Sequence, residues 1–203
     1  RDDVESRGLG DVYKRQIDTL ELAGCRVYLL EFAVGDRCSG QREGEKRAVR
    51  EIVESVFGDN AVLSHRPDGS PVVEGCNVEI SVSHCRGVAA VAVNTDSQRI
   101  GIDIEEFRDA LKKVAKKYLS PAEMERCTAP CQLLTAWTVK EALYKAAGVS
   151  GVNFANGVRL PLPESDTGEV DTPSGVKRFK VMSVDWRGRR LSIAIPCAHS
   201  FIP

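Results

Sequence analysis

Two acidic residues in a short alternating segment are the side chains of this chain best suited to chemistry. Residues 100–105 read IGIDIE, so three isoleucines alternate with Gly101, Asp103 and Glu105. Side chains two residues apart on a β-strand share one face, so both carboxylates point the same way, beside a glycine without a side chain. Taken alone, such a pair at a strand end is commonly just solvated.

A third carboxylate comes from a segment with helical spacing. Residues 137–145 read WTVKEALYK, which places Glu141 and Lys145 one turn apart on one helix face. Alone, this pair is ordinary surface decoration that stabilises a helix by ~0.2–0.5 kcal/mol. If the helix packs beside the strand, three carboxylates converge with lysines around them. That arrangement suits a hard divalent cation that also holds phosphate oxygens.

The two segments together resemble an Sfp-like 4′-phosphopantetheinyl transferase. That family carries a (V/I)-G-(V/I)-D-(V/I)-E segment and, a few tens of residues later, a (F/W)-(S/T/C)-x-K-E-(A/S)-x-x-K segment. Residues 100–105 and 137–145 match both without departure. The resemblance implies an α+β fold of two similar small subdomains, each an antiparallel sheet packed on a long helix. It places them at residues 17–106 and 107–203, with the site between them.

The resemblance also implies a reaction of the holo-[acyl-carrier-protein] synthase type. The 4′-phosphopantetheine arm of coenzyme A moves to a serine of an apo acyl or peptidyl carrier protein, and 3′,5′-ADP leaves. A Mg²⁺ or Mn²⁺ ion is expected on Asp103, Glu105 and Glu141. Glu141 is the candidate base, and Lys145, with Lys140, is expected to bind coenzyme A and to stabilise charge on the transferring phosphate.

Three further residues are expected to contact coenzyme A by the same resemblance. Arg50 matches a basic residue at the nucleotide end, and the adjacent Ser83 and His84 match a Ser-His pair at the phosphates. The family's Gly-Lys-Pro is replaced here by Gly-Ser-Pro, with Ser70 in place of the lysine. A Ser-His-Asp hydrolase is disfavoured, because no G-x-S-x-G nucleophile elbow occurs in the sequence.

Composition limits the protein class. The 203 residues are 42% hydrophobic and 28% charged with net charge −1, which favours a globular protein and argues against a general nucleic-acid binder. No apolar run reaches the ~18 residues of a membrane span. Seven cysteines without a CxxC favour free thiols in a reducing cytoplasm. Residues 1–16 are interpreted as a non-native, adapter-like leader.

Residues 107–119 are predicted to form a basic amphipathic helix. Its lysines between residues 112 and 117 are either a solvated face or a docking face for an acidic carrier. By the same resemblance, the protein is expected to work as a monomer. Two rival functions stay open, namely a metal-dependent phosphoesterase and a carrier-binding module without activity.

The remaining elements follow from apolar periodicity and caps. Helices are predicted at residues 41–57, from 120 onwards and 132–147. Strands are predicted at residues 25–34, 79–83, 88–93, 99–105, 158–160, 177–186 and 190–197, with a loop at 164–175. The strands at 88–93 and 99–105 are predicted to pair as a hairpin across the turn at 94–97, which would bring Asp103 beside Ser83.

Overall fold

Two antiparallel sheets, each with one long helix, make up the computed structural model, which describes residues 16–34 and 38–197. The first sheet has the spatial order β1 (Ile17–Leu22), β2 (Cys25–Glu31), β6 (Val88–Asn94) and β5 (Glu79–Cys85). The second has the order β7 (Gly101–Glu105), β11 (Arg189–Pro196), β10 (Gly175–Trp186), β9 (Thr167–Thr172) and β8 (Val158–Arg159). A small hairpin is formed by β3 (Leu63–His65) and β4 (Pro71–Val73). The predicted α+β class is confirmed.

The long helices begin and end close to where the sequence predicts. Helix α1 (Cys38–Phe57) buries its apolar stripe, including Ala48 and Ile52, on the first sheet. Helix α5 (Pro130–Ala147) ends at Gly148, whose φ of 64° is the left-handed conformation common after a helix. The second sheet lies against α5 through Val139 and Leu143.

Three short helices lead from β7 to α5. The predicted helix at 107–119 is divided into α2 (Asp109–Lys113) and α3 (Ala115–Tyr118), because Val114 leaves helical geometry. Helix α4 (Pro121–Arg126) begins at the capping box formed by Ser120 and Glu123.

Strand β7 does not pair with β6, so the predicted hairpin is wrong. Both edges of β6 are taken by β2 and β5, and β7 therefore crosses to the other sheet, where Asp103 lies opposite Ser192 of β11. The change of sheet occurs between Asn94 and Gly101, ahead of the subdomain boundary predicted at residues 106 and 107. By sheet membership, β7 belongs to the second half.

Serine hydroxyls join the two sheets where their edge strands meet. Ser81 Oγ of β5 accepts a hydrogen bond from the Ile102 amide at 3.0 Å, and Ser83 Oγ accepts one from the Ile104 amide at 3.2 Å. The β7 edge has no strand partner on this side, and the hydroxyls satisfy two of its buried N–H groups. The predicted approach of Asp103 to Ser83 is therefore achieved by side chains rather than by a hairpin.

The two sheets share one hydrophobic core. Val27 and Leu29 of the first sheet pack in the same cluster as Ile102, Leu191 and Ile193 of the second, and all five are almost fully buried. One face of each sheet therefore depends on the other sheet for its burial.

Arginines at the β10–β11 turn bind the first half from outside this core. Arg187 donates to Glu31 at 2.6 Å and pairs with Asp18 at 2.8 Å, while Arg189 reaches the second oxygen of Glu31. Both guanidinium groups lie over the ring of Trp186. This network holds the far hairpin of the second sheet against β1 and β2.

Four strands were not predicted from the sequence. Strands β1, β3 and β4 lie outside the predicted elements, and β9 lies within the segment predicted as a loop at 164–175. The leader predicted at 1–16 lies outside the described residues except for its last residue. Among the helices of the described part, none combines the length and apolar character needed to cross a bilayer.

Candidate active site

The close approach of α5 to β7 places the acidic residues. An added Cβ on Gly101 would lie 1.9 Å from the carbonyl oxygen of Ala142 and 2.6 Å from the amide nitrogen of Ala146. Only glycine therefore lets the helix backbone rest on the strand at this point. Asp103 and Glu105 lie on the same face of β7 as Gly101, facing the helix that carries Glu141 and Lys145.

Asp103 is held by partners from both sheets. Its Oδ1 accepts a hydrogen bond from Ser83 Oγ at 2.8 Å and from Lys145 Nζ at 3.0 Å. Lys145 Nζ also donates to the carbonyl oxygen of Ile102 at 2.9 Å. Asp103 is only 7% exposed, so it is a buried, fully oriented carboxylate rather than a solvated one.

Glu105 and Glu141 are less fully compensated. Burial raises the pKa of both carboxyl groups, and repulsion from Asp103 adds to the rise in each case. Glu105 is partly relieved by Arg108, which donates to its Oε2, and by the Glu106 amide. Glu141 is partly relieved by Lys145. The three carboxylates thus form one half-buried cluster of mutually repelling charge.

This cluster fits a hard divalent cation by its chemistry. Its donors are carboxylate oxygens, which Mg²⁺ and Mn²⁺ prefer, and a cation would relieve the repulsion that raises the pKa values of Glu105 and Glu141. Within residues 16–34 and 38–197, no three acidic, histidine or cysteine side chains already stand in a metal-holding arrangement. Lys145 and Arg108 take up carboxylate oxygens there instead.

A basic cavity of about 790 Å³ lies on the other side of β5. Helix α1 lines it with Arg42, Lys46 and Arg50, and the β3–β4 hairpin closes it. His84 also lines it, with Nδ1 placed 3.4 Å from Glu45 Oε2. Two of the predicted coenzyme A residues, Arg50 and His84, therefore share one cavity.

Ser83 does not line that cavity, although it was predicted beside His84. Adjacent residues of a strand point to opposite faces, so Ser83 points towards β7 while His84 points towards α1. Ser83 is only 5% exposed, and its hydroxyl donates to Asp103 and accepts from the Ile104 amide. The structure uses Ser83 to orient Asp103, so the hydroxyl predicted to contact phosphate is engaged inside the protein.

Lys140, also predicted to bind coenzyme A, does not contact the acidic cluster in the structure. It is fully buried, and its Nζ donates to Glu123 Oε2 at 2.7 Å and to the carbonyl oxygens of Phe154 and Ala155 at 3.2 Å. Burial lowers the pKa of Lys140, and the hydrogen bond to Glu123 opposes that effect. Lys140 therefore faces α4 and the chain before β8 rather than β7.

One site residue was missed by the sequence reading. Arg108 stands three residues after Glu105 and binds its carboxylate from the linker ahead of α2. The spacing was visible in the sequence, but the segment was predicted as the start of a helix. A basic residue closely following the acidic strand was the available signal.

A comparison with family models matches residues 99–193 to the 4′-phosphopantetheinyl transferase superfamily. The matched segment contains β7 and α5, and therefore the three carboxylates of the acidic cluster and Lys145. No curated protein matches the chain significantly. The resemblance drawn from the two motifs is confirmed over this segment, which supports phosphopantetheine transfer in general.

Proposed function

We propose that this protein modifies carrier proteins, because residues 99–193 match the 4′-phosphopantetheinyl transferase superfamily. It transfers the 4′-phosphopantetheine arm of coenzyme A to a serine of an apo acyl or peptidyl carrier protein and releases 3′,5′-ADP. The observation that carries this proposal is the convergence of Asp103, Glu105 and Glu141 with Lys145 where α5 rests on β7. A pyrophosphate is the kind of substrate that such a cluster, loaded with a cation, would bind.

One coenzyme A molecule is proposed to reach both the basic cavity and the acidic cluster. The nucleotide end carries phosphates, which suit the cavity lined by Arg42, Lys46, Arg50 and His84. The acidic cluster lies across β5 from the cavity, since Ser83 contacts Asp103 and the adjacent His84 lines the cavity. The pyrophosphate then lies between the cavity and the acidic cluster.

A divalent cation, Mg²⁺ or Mn²⁺, would be held by Asp103, Glu105 and Glu141. When bound, it supplies charge neutralisation to the pyrophosphate oxygens. The protein's own part is to fix the carboxylates. Ser83 and Lys145 orient Asp103, and Gly101 permits the close approach that brings Glu141 to the same place.

Glu141 is the proton acceptor in the transfer. The serine oxygen of the carrier attacks the β-phosphorus, the bond from that phosphorus to the bridging oxygen breaks, and 3′,5′-ADP leaves with the electron pair. The serine proton goes to Glu141, the candidate general base of the cluster. Lys145 stabilises negative charge on the transferring phosphoryl group.

The carrier is proposed to dock on the α2–α3 face. Its four lysines are all exposed, and none forms an ion pair with a carboxylate within the described residues. The face comprises Lys112, Lys113, Lys116 and Lys117. It follows β7 directly in the chain, so an acidic carrier bound there would present its serine near Glu105.

The reaction is tested by intact-protein mass spectrometry of an apo acyl carrier protein and an apo peptidyl carrier protein. Each is incubated with the protein, coenzyme A and Mg²⁺, with an EDTA-treated sample alongside. A metal-dependent gain of one phosphopantetheine mass is the expected result. Hydrolysis of coenzyme A without any carrier would indicate a phosphoesterase instead. Carrier binding without mass gain on either carrier would indicate an inactive binding module.

A further inference from the structure

A single arginine connects the basic cavity to the acidic cluster. Arg99 precedes β7, and its Nε donates to the carbonyl oxygen of Lys145 at 3.0 Å. Its Nη1 donates to Asp68 Oδ2 at 2.6 Å. One rigid guanidinium group therefore contacts the end of α5 and the β3–β4 turn together.

At the helix, Arg99 fills the position where α5 ends. An added Cβ on Gly148 would lie 2.5 Å from the guanidinium carbon of Arg99, so the group packs directly on this left-handed residue. The last carbonyl groups of a helix have no partner within the helix, and a cation is favourable there. Arg99 satisfies one of them, the carbonyl of Lys145, whose side chain binds Asp103.

At the turn, Arg99 binds a carboxylate that is already fixed. Asp68 Oδ1 accepts hydrogen bonds from the amide and the hydroxyl of Ser70, which leaves Oδ2 for Arg99. The hydrogen bond from Arg99 is the main reason that the pKa of Asp68 lies well below its usual value. The turn residues Gly69 and Pro71 line the basic cavity.

We propose that Arg99 is a positioning residue that holds the Lys145 end of α5 and the β3–β4 turn in one register. Both ends of one coenzyme A molecule are thereby seated together, the nucleotide in the cavity and the pyrophosphate at the cluster. This proposal rests on the proposed function. It assigns separate effects to the two ends of Arg99, one on binding and one on turnover.

Two conservative variants separate these effects. Asp68→Asn leaves one carbonyl oxygen for Ser70 and Arg99 to share, so it loosens the turn while the bond to Lys145 stays. Arg99→Lys keeps a cation for Asp68 but loses the planar fork that also reaches the Lys145 carbonyl. The first should act on coenzyme A binding and the second on the chemical step.

Steady-state kinetics on the full chain provides the test. Asp68→Asn should raise KM for coenzyme A about tenfold, the loss expected for one charge-assisted hydrogen bond, with kcat within about twofold. Arg99→Lys should lower kcat about tenfold with KM for coenzyme A within about twofold. The control is Asp171→Asn, which breaks a similarly exposed arginine–aspartate pair away from both places. The proposal is overturned if kcat and KM for coenzyme A change in the same way in both variants, or if the changes are no larger than in Asp171→Asn.

Amide hydrogen exchange tests the same coupling without any turnover. Gly148→Ala, which displaces the guanidinium, should speed exchange at the remote residues 66–71. Asp68→Asn should speed exchange at residues 66–71 and leave residues 144–148 unchanged, because the bond from Arg99 to the Lys145 carbonyl stays. Unchanged exchange at residues 66–71 in Gly148→Ala overturns the coupling. If the wild-type protein transfers nothing to any carrier, the proposed function fails, and exchange still decides the role of Arg99.

Discussion

Glu141 combines a chemical role with an unfavourable position. Burial and the neighbouring carboxylates raise its pKa, so the folded protein bears a cost for keeping this group charged. Glu141→Gln removes the charge while preserving shape, and the melting temperature should be unchanged or higher. Transfer should fall by ~10²–10⁴-fold, the usual contribution of a general base. Thermal melting and the carrier mass assay measure the two effects, and wild-type turnover in this variant would contradict the role.

Lys140 provides the opposite case, a charged residue whose role is structural. Its partner Glu123 also accepts hydrogen bonds from the amides of Ser120 and Leu160, so the pair joins α4, α5 and the chain before β8. Lys140→Met should lower the free energy of unfolding by roughly 3–5 kcal/mol, because Glu123 is left as an unpaired buried charge.

Urea unfolding measures the loss at Lys140, and Lys140→Met/Glu123→Gln is the matched control. The double variant should lose less than the single variant, because no lone charge remains. A Lys140→Met protein with normal stability but low kcat would contradict the structural role and indicate a role of Lys140 in the reaction.

At the scale of the elements, the contact between β7 and α5 controls the site. Gly101→Ala places a methyl group on the backbone of Ala142 and Ala146, so the helix must move away from the strand. We expect a loss of roughly 1–3 kcal/mol in stability, as for overpacking, and a fall in kcat. Gly44→Ala is the control, because its methyl group meets the ring of Phe32, which can shift. Equal activity in Gly101→Ala and Gly44→Ala would show that the contact between β7 and α5 does not control the site.

Local signals explain how far the elements could be predicted. The helix start at residue 120, the helix end at residue 147 and the strands at 177–186 and 190–197 all depend on neighbours in sequence, and these predictions hold. The strand that pairs with β7 depends on β6 being paired on both sides by β2 and β5, and no short stretch of sequence contains that information. The same limit applies to Lys140, since its burial follows from packing of α4 and the chain before β8 on α5.

At the scale of the whole molecule, charge should govern the encounter with the carrier. The exposed lysines of α2 and α3 form a one-sided positive face on a protein of net charge −1. Lys112→Ala/Lys116→Ala should raise KM for the carrier about five- to tenfold at low salt, with kcat and KM for coenzyme A unchanged.

Two exposed arginines elsewhere provide the control for the lysine face. Arg26→Ala/Arg178→Ala removes the same net charge from other surfaces. The difference between the two double variants should shrink as the ionic strength rises above about 0.5 M, where exposed charges are screened. Equal effects of the two would remove the docking role from α2 and α3.

The shared core has a consequence for synthesis of the protein. Val27 and Leu29 leave the ribosome early, but their partners Leu191 and Ile193 lie on β11 and emerge late. At usual rates of translation this interval is on the order of ten seconds. For that time the nascent first sheet keeps an apolar face uncovered, so the chain is a natural client for chaperones that hold such surfaces until translation is nearly finished.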